Sequence, residues 1–376
     1  MSPTTIDTSQ VRRLSVMRAD RPVILSLYLD LDPAEFATPP ARSSAIRSLI
    51  DEAGKQIEGA DLEKDDVKAL RAALGRAETF FDDELPTDGV RGVAVFASDP
   101  LDLFESITLP QSLPTRIAID KSPLVAPLAI TAHEGSWGVL LVNREVGRLL
   151  RGDGSLLREV DDVRSGVHGQ HQQGGWSQAR YGRSIENEVE EHLRAVAELV
   201  VRELEREPLD HLLVGCPEEL AAPFRSHLPD DVADRLAGDI EIDVATASPD
   251  EVLAAMRPAL EAEEDRRERE AFDRLGAPLT ASGTTEVLRA LNERRVETVL
   301  IDERRSEPGT ACPTCGWLGT AGADACPADG SPVDGVEDLK ERVVELALAQ
   351  DAQVLPVRLR RDELRSAGGI AALLRF

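Results

Sequence analysis

Cys312 and Cys315 are separated by two residues, a spacing at which one tight turn presents two thiolates to a single metal ion. Cys326 follows, and the place where a zinc ribbon normally offers its fourth thiolate is taken by Asp329 in the sequence CPADG. Carboxylate oxygen ligates zinc, so three cysteines and one aspartate can close a tetrahedral set. The competing reading is a ribbon that has lost its metal and is held by its turns. A closed site of this kind would be structural, with no open position for catalysis.

A second group of residues lies in the window from Val163 to Ile185, which contains Arg164, Arg180 and Arg183, His168 and His171, and no carboxylate. The whole chain carries 69 Asp and Glu against 43 Lys and Arg, a formal charge of -26. Such a balance excludes general affinity for nucleic acid, which rests on neutralising phosphates with cations. Any contact with RNA must therefore be local, and this electropositive island, which contains HQQGGWSQARYGR, is the place for it. A plain polar surface loop is the alternative.

The elements that position these residues are α/β throughout. An N-terminal domain, 1–133, has strands at 22–31, 92–97 and 103–109 and amphipathic helices at 42–58 and 62–82. A central domain, 134–275, opens with three short apolar runs separated by polar turns, the pattern of an antiparallel meander. The loop 163–185 comes next. A long helix then follows, with Val189, Leu193, Val196, Val200 and Leu204 on one stripe and Ser184 as its expected N-cap. HLLVG and IEIDV read as two further strands. A C-terminal domain, 276–376, alternates helices and strands into a layered sandwich, interrupted by the ribbon insertion 308–332.

The familiar enzyme signatures are missing. There is no G-x-S-x-G elbow, no phosphate-cradling G-x-x-x-x-G-K-[ST] and no H-E-x-x-H, and the histidines are scattered. Acidic clusters such as EKDD and EAEED read as solvated helix faces. No segment approaches the roughly 18 apolar residues of a membrane span, and the opening residues have no secretory apolar run, so a soluble cytoplasmic protein is expected.

The loop QGGWSQARYGR, set between a meander and a long helix, resembles the G-x-x-Q version of the release-factor loop in bacterial relatives of the archaeal and eukaryotic peptide-chain release factors. The same variant occurs in the ankyrin-repeat and zinc-finger peptidyl-tRNA hydrolases of ribosome quality control. The closing GGIAALLRF is similar to the end of the third domain of release factors and Pelota, and SLYLDLDP suits the bacterial branch.

The resemblance implies a three-domain factor acting in ribosome rescue. Gly174 and Gly175 would let the backbone approach the tRNA acceptor end, and Gln178 would orient the water that attacks the peptidyl ester. Arg164, Arg180 and Arg183 would hold ribosomal or tRNA phosphate, and Trp176 would stack on a base or anchor the loop. Release factors proper carry Gly-Gly-Gln in direct succession. Here Trp176 and Ser177 intervene before Gln178, and Gln172 and Gln173 stand before the glycines as weaker candidates. An Asn-Ile-Lys-Ser-type codon-reading motif is lacking, which points away from ordinary termination. The implied partners are the large-subunit peptidyl-transferase centre, tRNA and a translational GTPase, with structural zinc and no organic cofactor. The competing implication is a hibernation factor, resembling Balon, that occupies the ribosomal A site without hydrolysis.

Overall fold

A run of alternating leucines, Leu25, Leu27 and Leu29, with Ile24 and Tyr28 between them, requires a strand buried on both faces, and that strand is the centre of the first sheet. The computed structural model describes residues 8–86, 90–109, 111–131, 135–165 and 178–376. It has two compact units, one formed by Met1–Ala132 together with Glu264–Phe376, the other by His133–Glu263.

The first unit begins with α1 (Thr8–Ser15), β1 (Ile24–Asp30), α2 (Pro39–Gly59), α3 (Lys64–Asp83), β2 (Gly92–Ser98), β3 (Leu103–Leu109), β4 (Arg116–Asp120) and α4 (Ala126–Thr131). The strands form an antiparallel sheet in the order β3-β2-β1-β4. Thr38 caps α2, its hydroxyl accepting from the Ala41 N–H, and two prolines fill the first helical positions where no N–H is needed. The three leucines of β1 pack with Leu49, Ile57 and Leu70 of α2 and α3. Ile24 and Tyr28 belong to a second cluster, on the opposite face. β4 and α4 were not expected from the sequence, because RIAID is short and leads at once into Lys-Ser-Pro.

The second unit contains β5 (Trp137–Val142), β6 (Val146–Gly152), β7 (Leu157–Arg164), α5 (Gln178–Arg206), β8 (His211–Gly215), α6 (Glu218–Arg225), α7 (Asp230–Ala233), β9 (Leu236–Asp239) and the first half of α8 (Pro249–Leu275). Its mixed sheet runs β7-β6-β5-β8-β9, with the meander antiparallel and β5, β8 and β9 parallel. One face is covered by α5 through Leu193, Val196 and Val200, the other by α8 through Val252 and Met256. Two expectations need correction. The strand expected at IEIDV is not formed: the sheet edge is β9, residues 236–239, and of the following residues Ile240 continues it by one N–H to the Val214 carbonyl while its side chain is buried. Ser184 is not the N-cap of α5, which starts six residues earlier; Gln-Ala-Arg are good helix formers and carry the helix back toward the glycines.

The chain then completes the first unit with β10 (Thr280–Ser282), α9 (Thr284–Asn292), β11 (Val296–Ile301), β12 (Gly309–Ala311), β13 (Leu318–Thr320), β14 (Asp334–Val336), α10 (Leu339–Leu348), β15 (Gln353–Pro356), α11 (Arg361–Ser366) and β16 (Ile370–Leu374). The larger sheet is ordered β10-β16-β11-β15, so the terminal IAALL is an inner strand, buried at every position. α9 and α10 pack on one face in the same cluster as Ile24, Tyr28 and Phe96. Ala271 of α8 packs with Val357, Leu364 and Leu373 in another. The three short strands β13-β12-β14 make the ribbon. Eleven helices and four sheets among the described residues give the mixed α/β, multi-sheet class expected from the sequence.

Candidate functional site

The cysteines stand on two turns built alike. In the first, CPTCG, the Cys315 N–H points at Cys312 Sγ (3.4 Å) and the Gly316 N–H bonds the Cys312 carbonyl (3.0 Å). In the second, CPADG, the Ala328 N–H points at Cys326 Sγ (3.4 Å) and the Gly330 N–H bonds the Cys326 carbonyl (2.9 Å). Gly316 and Gly330 close these turns at φ +78° and +76°, a left-handed conformation that side chains seldom adopt. The ribbon strands set the turns against each other, with Cys312 Sγ 3.5 Å from Asp329 Oδ2 and Cys315 Sγ 3.5 Å from Cys326 Sγ. All four ligand atoms lie within 4.8 Å of one another.

The electrostatics act in opposite directions on the four groups. Burial pushes the Cys315 thiol up to about 12. Burial also opposes ionisation of Cys312, yet N–H groups of Cys315 and Thr314 hold its thiol below the ordinary value. The Ser331 N–H, 2.9 Å from Oδ1, holds Asp329 down at about 2. These donors fit a tetrahedral metal: two matched turns aim sulfur and carboxylate oxygen at one point, and each turn stabilises negative charge with backbone N–H groups. Cys312, Cys315, Cys326 and Asp329 are thus brought together as a group that can bind a metal.

The other candidate residues flank the loop. Gly174, Gly175, Trp176, Gln172 and Gln173 lie outside the described residues. Gln178, Arg180 and Arg183 fall in the first two turns of α5, of which the backbone is described, and Gln178 is the first helical residue. No acidic residue occurs in the first turn, so the positive end of the helix dipole is not neutralised there. Arg164 ends β7 and its Nε lies 3.0 Å from Asp162 Oδ2, which compensates its charge locally.

Three features fix β7 and α5, the elements on either side of the loop, and were not read from the sequence. Ser165 Oγ is 2.8 Å from Nδ1 of His192 on α5, and the Ser165 N–H bonds the Glu145 carbonyl, tying the end of β7 to the helix and to the β5–β6 turn. Burial lowers the pKa of His192, so it stays neutral at pH 7. Arg151 of β6 is buried and its guanidinium donates to the carbonyls of Glu203, Glu207 and Pro208, capping the far end of α5. Finally, Gly147 of β6 lies under Val196: a Cβ there would come within 2.3 Å of Val196 Cγ2, so only glycine lets α5 sit this close to the sheet. The signal available was weak, since His192 merely adjoins the apolar stripe and Arg148 and Arg151 read as ordinary hairpin polarity.

Comparison with known proteins finds chains similar to this one. Residues 123–261 match bacterial archaeo-eukaryotic release factor family 10. Peptide chain release factor subunit 1 of Thermoplasma acidophilum is 26% identical over 267 residues, 64% of this chain and 64% of that protein. The chain therefore spans somewhat less than two thirds of that relative. The same factor of Aeropyrum pernix is 25% identical over 97% of this chain and 93% of its own length. Among solved structures, the archaeal termination factor aRF1 aligns over the whole of both chains at 22% identity and a TM-score of 0.28. Archaeoglobus fulgidus Pelota covers 76% of this chain and 79% of its own at 17% identity, with a TM-score of 0.34. Residues 123–261, which include the loop read as similar to the release-factor loop, thus match a family model of the bacterial archaeo-eukaryotic release factors.

Proposed function

We propose that this protein is a ribosome-associated, release-factor-like hydrolase that frees the nascent peptide from peptidyl-tRNA on stalled ribosomes or large subunits without reading a stop codon. The observation that carries the reading is the match over 123–261, which takes in the meander, the glycine–glutamine loop and α5. In this reading the ribosome supplies most of the reaction surroundings, and the factor delivers a narrow tip. Gly174 and Gly175 give close backbone approach to the tRNA acceptor end, and Gln178, at the head of α5, orients the attacking water. That role needs no shifted pKa. It stabilises charge developing on the ester oxygen by polar contact alone. Arg180 and Arg183, beside the positive end of α5, hold phosphate, and Trp176 stacks on a base. Arg164 contributes less than these two, because Asp162 already compensates it. A translational GTPase delivers the factor, and the setting is the cytoplasm; among the described residues no helix is long and apolar enough to cross a membrane.

Zinc is the metal proposed for Cys312, Cys315, Cys326 and Asp329. When bound it supplies a structural cross-link between the two turns of the ribbon, and it takes no part in hydrolysis.

The test is release of labelled peptide from peptidyl-tRNA on stalled ribosomes. Gln178→Ala is expected to bind ribosomes and to release peptide on the order of a hundredfold more slowly, as for removal of one transition-state donor. Ribosome binding with no release by the unaltered protein would replace the hydrolase with a hibernation factor. Full activity in the variant would move the role to Gln172 or Gln173.

A further inference from the structure

Within the first unit a cleft of about 410 Å³ opens beside the first cysteine turn. Its walls come from five places in the sequence: the end of α1 and the residues after it, the end of β4, the turn after α9, the ribbon and the partly buried side of α10. The size is that of a small-ligand pocket, of which volumes of roughly 300–1,000 Å³ are typical.

The charges around it are unevenly satisfied. Arg342 is compensated, lying between Asp120 and Glu345. Three other cations converge here without such a partner. Among the described residues no carboxylate pairs with the side chain of Arg18, Lys121 or Arg294, although acids outnumber bases across the chain. Their placement is built by the fold. The Ala19 N–H bonds the Lys121 carbonyl at 2.7 Å, which sets Arg18 beside Lys121, and Arg18 Nη2 donates to the Pro313 carbonyl of the cysteine turn at 3.3 Å. Asn292, at the end of α9, is bonded both ways to Leu318 of the ribbon, at 2.8 and 3.0 Å, and Arg294 follows two residues later at φ +58°. Besides the two carboxylates engaged by Arg342, exposed Asp334 is the one acid lining the cleft. Between the cations the wall is apolar, with Met17 and Leu346 both partly buried against the core.

We propose that this cleft binds a nucleoside phosphate, its phosphate held by Arg18, Lys121 and Arg294 and its base laid on Met17 and Leu346. A phosphate is the complement of three unpaired cations, and an apolar strip beside them suits the flat face of a base. The ligand is either a segment of single-stranded RNA or a free mononucleotide; both present the same chemistry. The site is distinct from the loop 163–185 and does not depend on the hydrolase reading.

The experiment measures fluorescence anisotropy of a labelled single-stranded RNA pentamer on the full-length protein, with adenosine and uridine monophosphates as competitors. Binding is expected, with Lys121→Glu and Arg294→Glu each weakening it roughly tenfold to a hundredfold. The slope of log affinity against log salt should fall by about 0.7 for each cation–phosphate pair that a substitution removes. Lys121→Arg should retain affinity. Affinity that rises from mononucleotide to pentamer identifies RNA as the ligand; equal affinity identifies the free nucleotide. Absence of binding by both at millimolar concentration overturns the proposal, as does undiminished binding in the two charge-reversed variants. Near-ultraviolet circular dichroism checks that both substitutions leave the fold intact.

Discussion

Asp329 occupies the position where its sister turn has Cys315, and the backbone around it is the same as around a thiolate ligand. Asp329→Asn should lower zinc affinity at least about tenfold, the loss that follows removal even of an outer partner of a metal ligand. Asp329→Cys should raise it, and competition with a chromophoric chelator measures both. The gathering of Cys312, Cys315, Cys326 and Asp329 was legible in the sequence because two Cys-Pro-x-x-Gly turns need no tertiary information to be recognised. His192 was not legible. Its partner Ser165 is 27 positions away, and nothing in either residue type announces the pairing. The glycines and Gln178 stand as a motif only, because the role proposed for them needs a partner outside the chain.

At the scale of elements, strands and helices with full periodicity were foreseen, and errors occurred where two local rules competed. A serine followed by acids reads as a helix start, yet the preceding Gln-Ala-Arg extends α5 back to Gln178. IEIDV alternates as a strand should, and its isoleucines do face the core, but the sheet bonds it only at Ile240. α5 carries the head of the candidate site, and Arg151 holds its other end. Arg151→Met should therefore destabilise the second unit by about 2 to 4 kcal/mol, by leaving the Glu207 and Pro208 carbonyls just after α5 without their side-chain donor and removing one of two donors to the Glu203 carbonyl. Arg151→Lys should recover only part of this, because an ammonium cannot reproduce the guanidinium fork. Chemical denaturation followed by circular dichroism measures both.

At the scale of the molecule, an acidic body presents few places to RNA. Arg180→Glu together with Arg183→Glu should abolish co-sedimentation with large subunits at moderate salt; unchanged binding would place the interaction elsewhere. Acidity also acts on stability. Burial pushes Glu345 up to about 7 in spite of Arg342 beside it. An acid whose folded pKa exceeds its unfolded value binds more protons in the folded state, so its contribution is complete below about pH 4.5 and is lost as pH rises toward 7. The loss is on the order of 2 to 3 kcal/mol. Glu345→Gln should flatten the stability profile across that window, as read by denaturation at successive pH values. The order of the chain through the two units has a consequence for synthesis. Residues 133–263 form one uninterrupted stretch, whereas the cluster containing Ile24, Tyr28 and Phe96 needs Val299, Val344 and Ala372 to close. On the ribosome the second unit can therefore finish folding while the first still shows a bare apolar sheet face. At ordinary elongation rates that face waits roughly 10 to 50 s for its cover. A fragment ending at residue 270 and released from the ribosome should accordingly recruit chaperones through its N-terminal third and be cleaved there by protease, while the sheet and helices of the second unit resist.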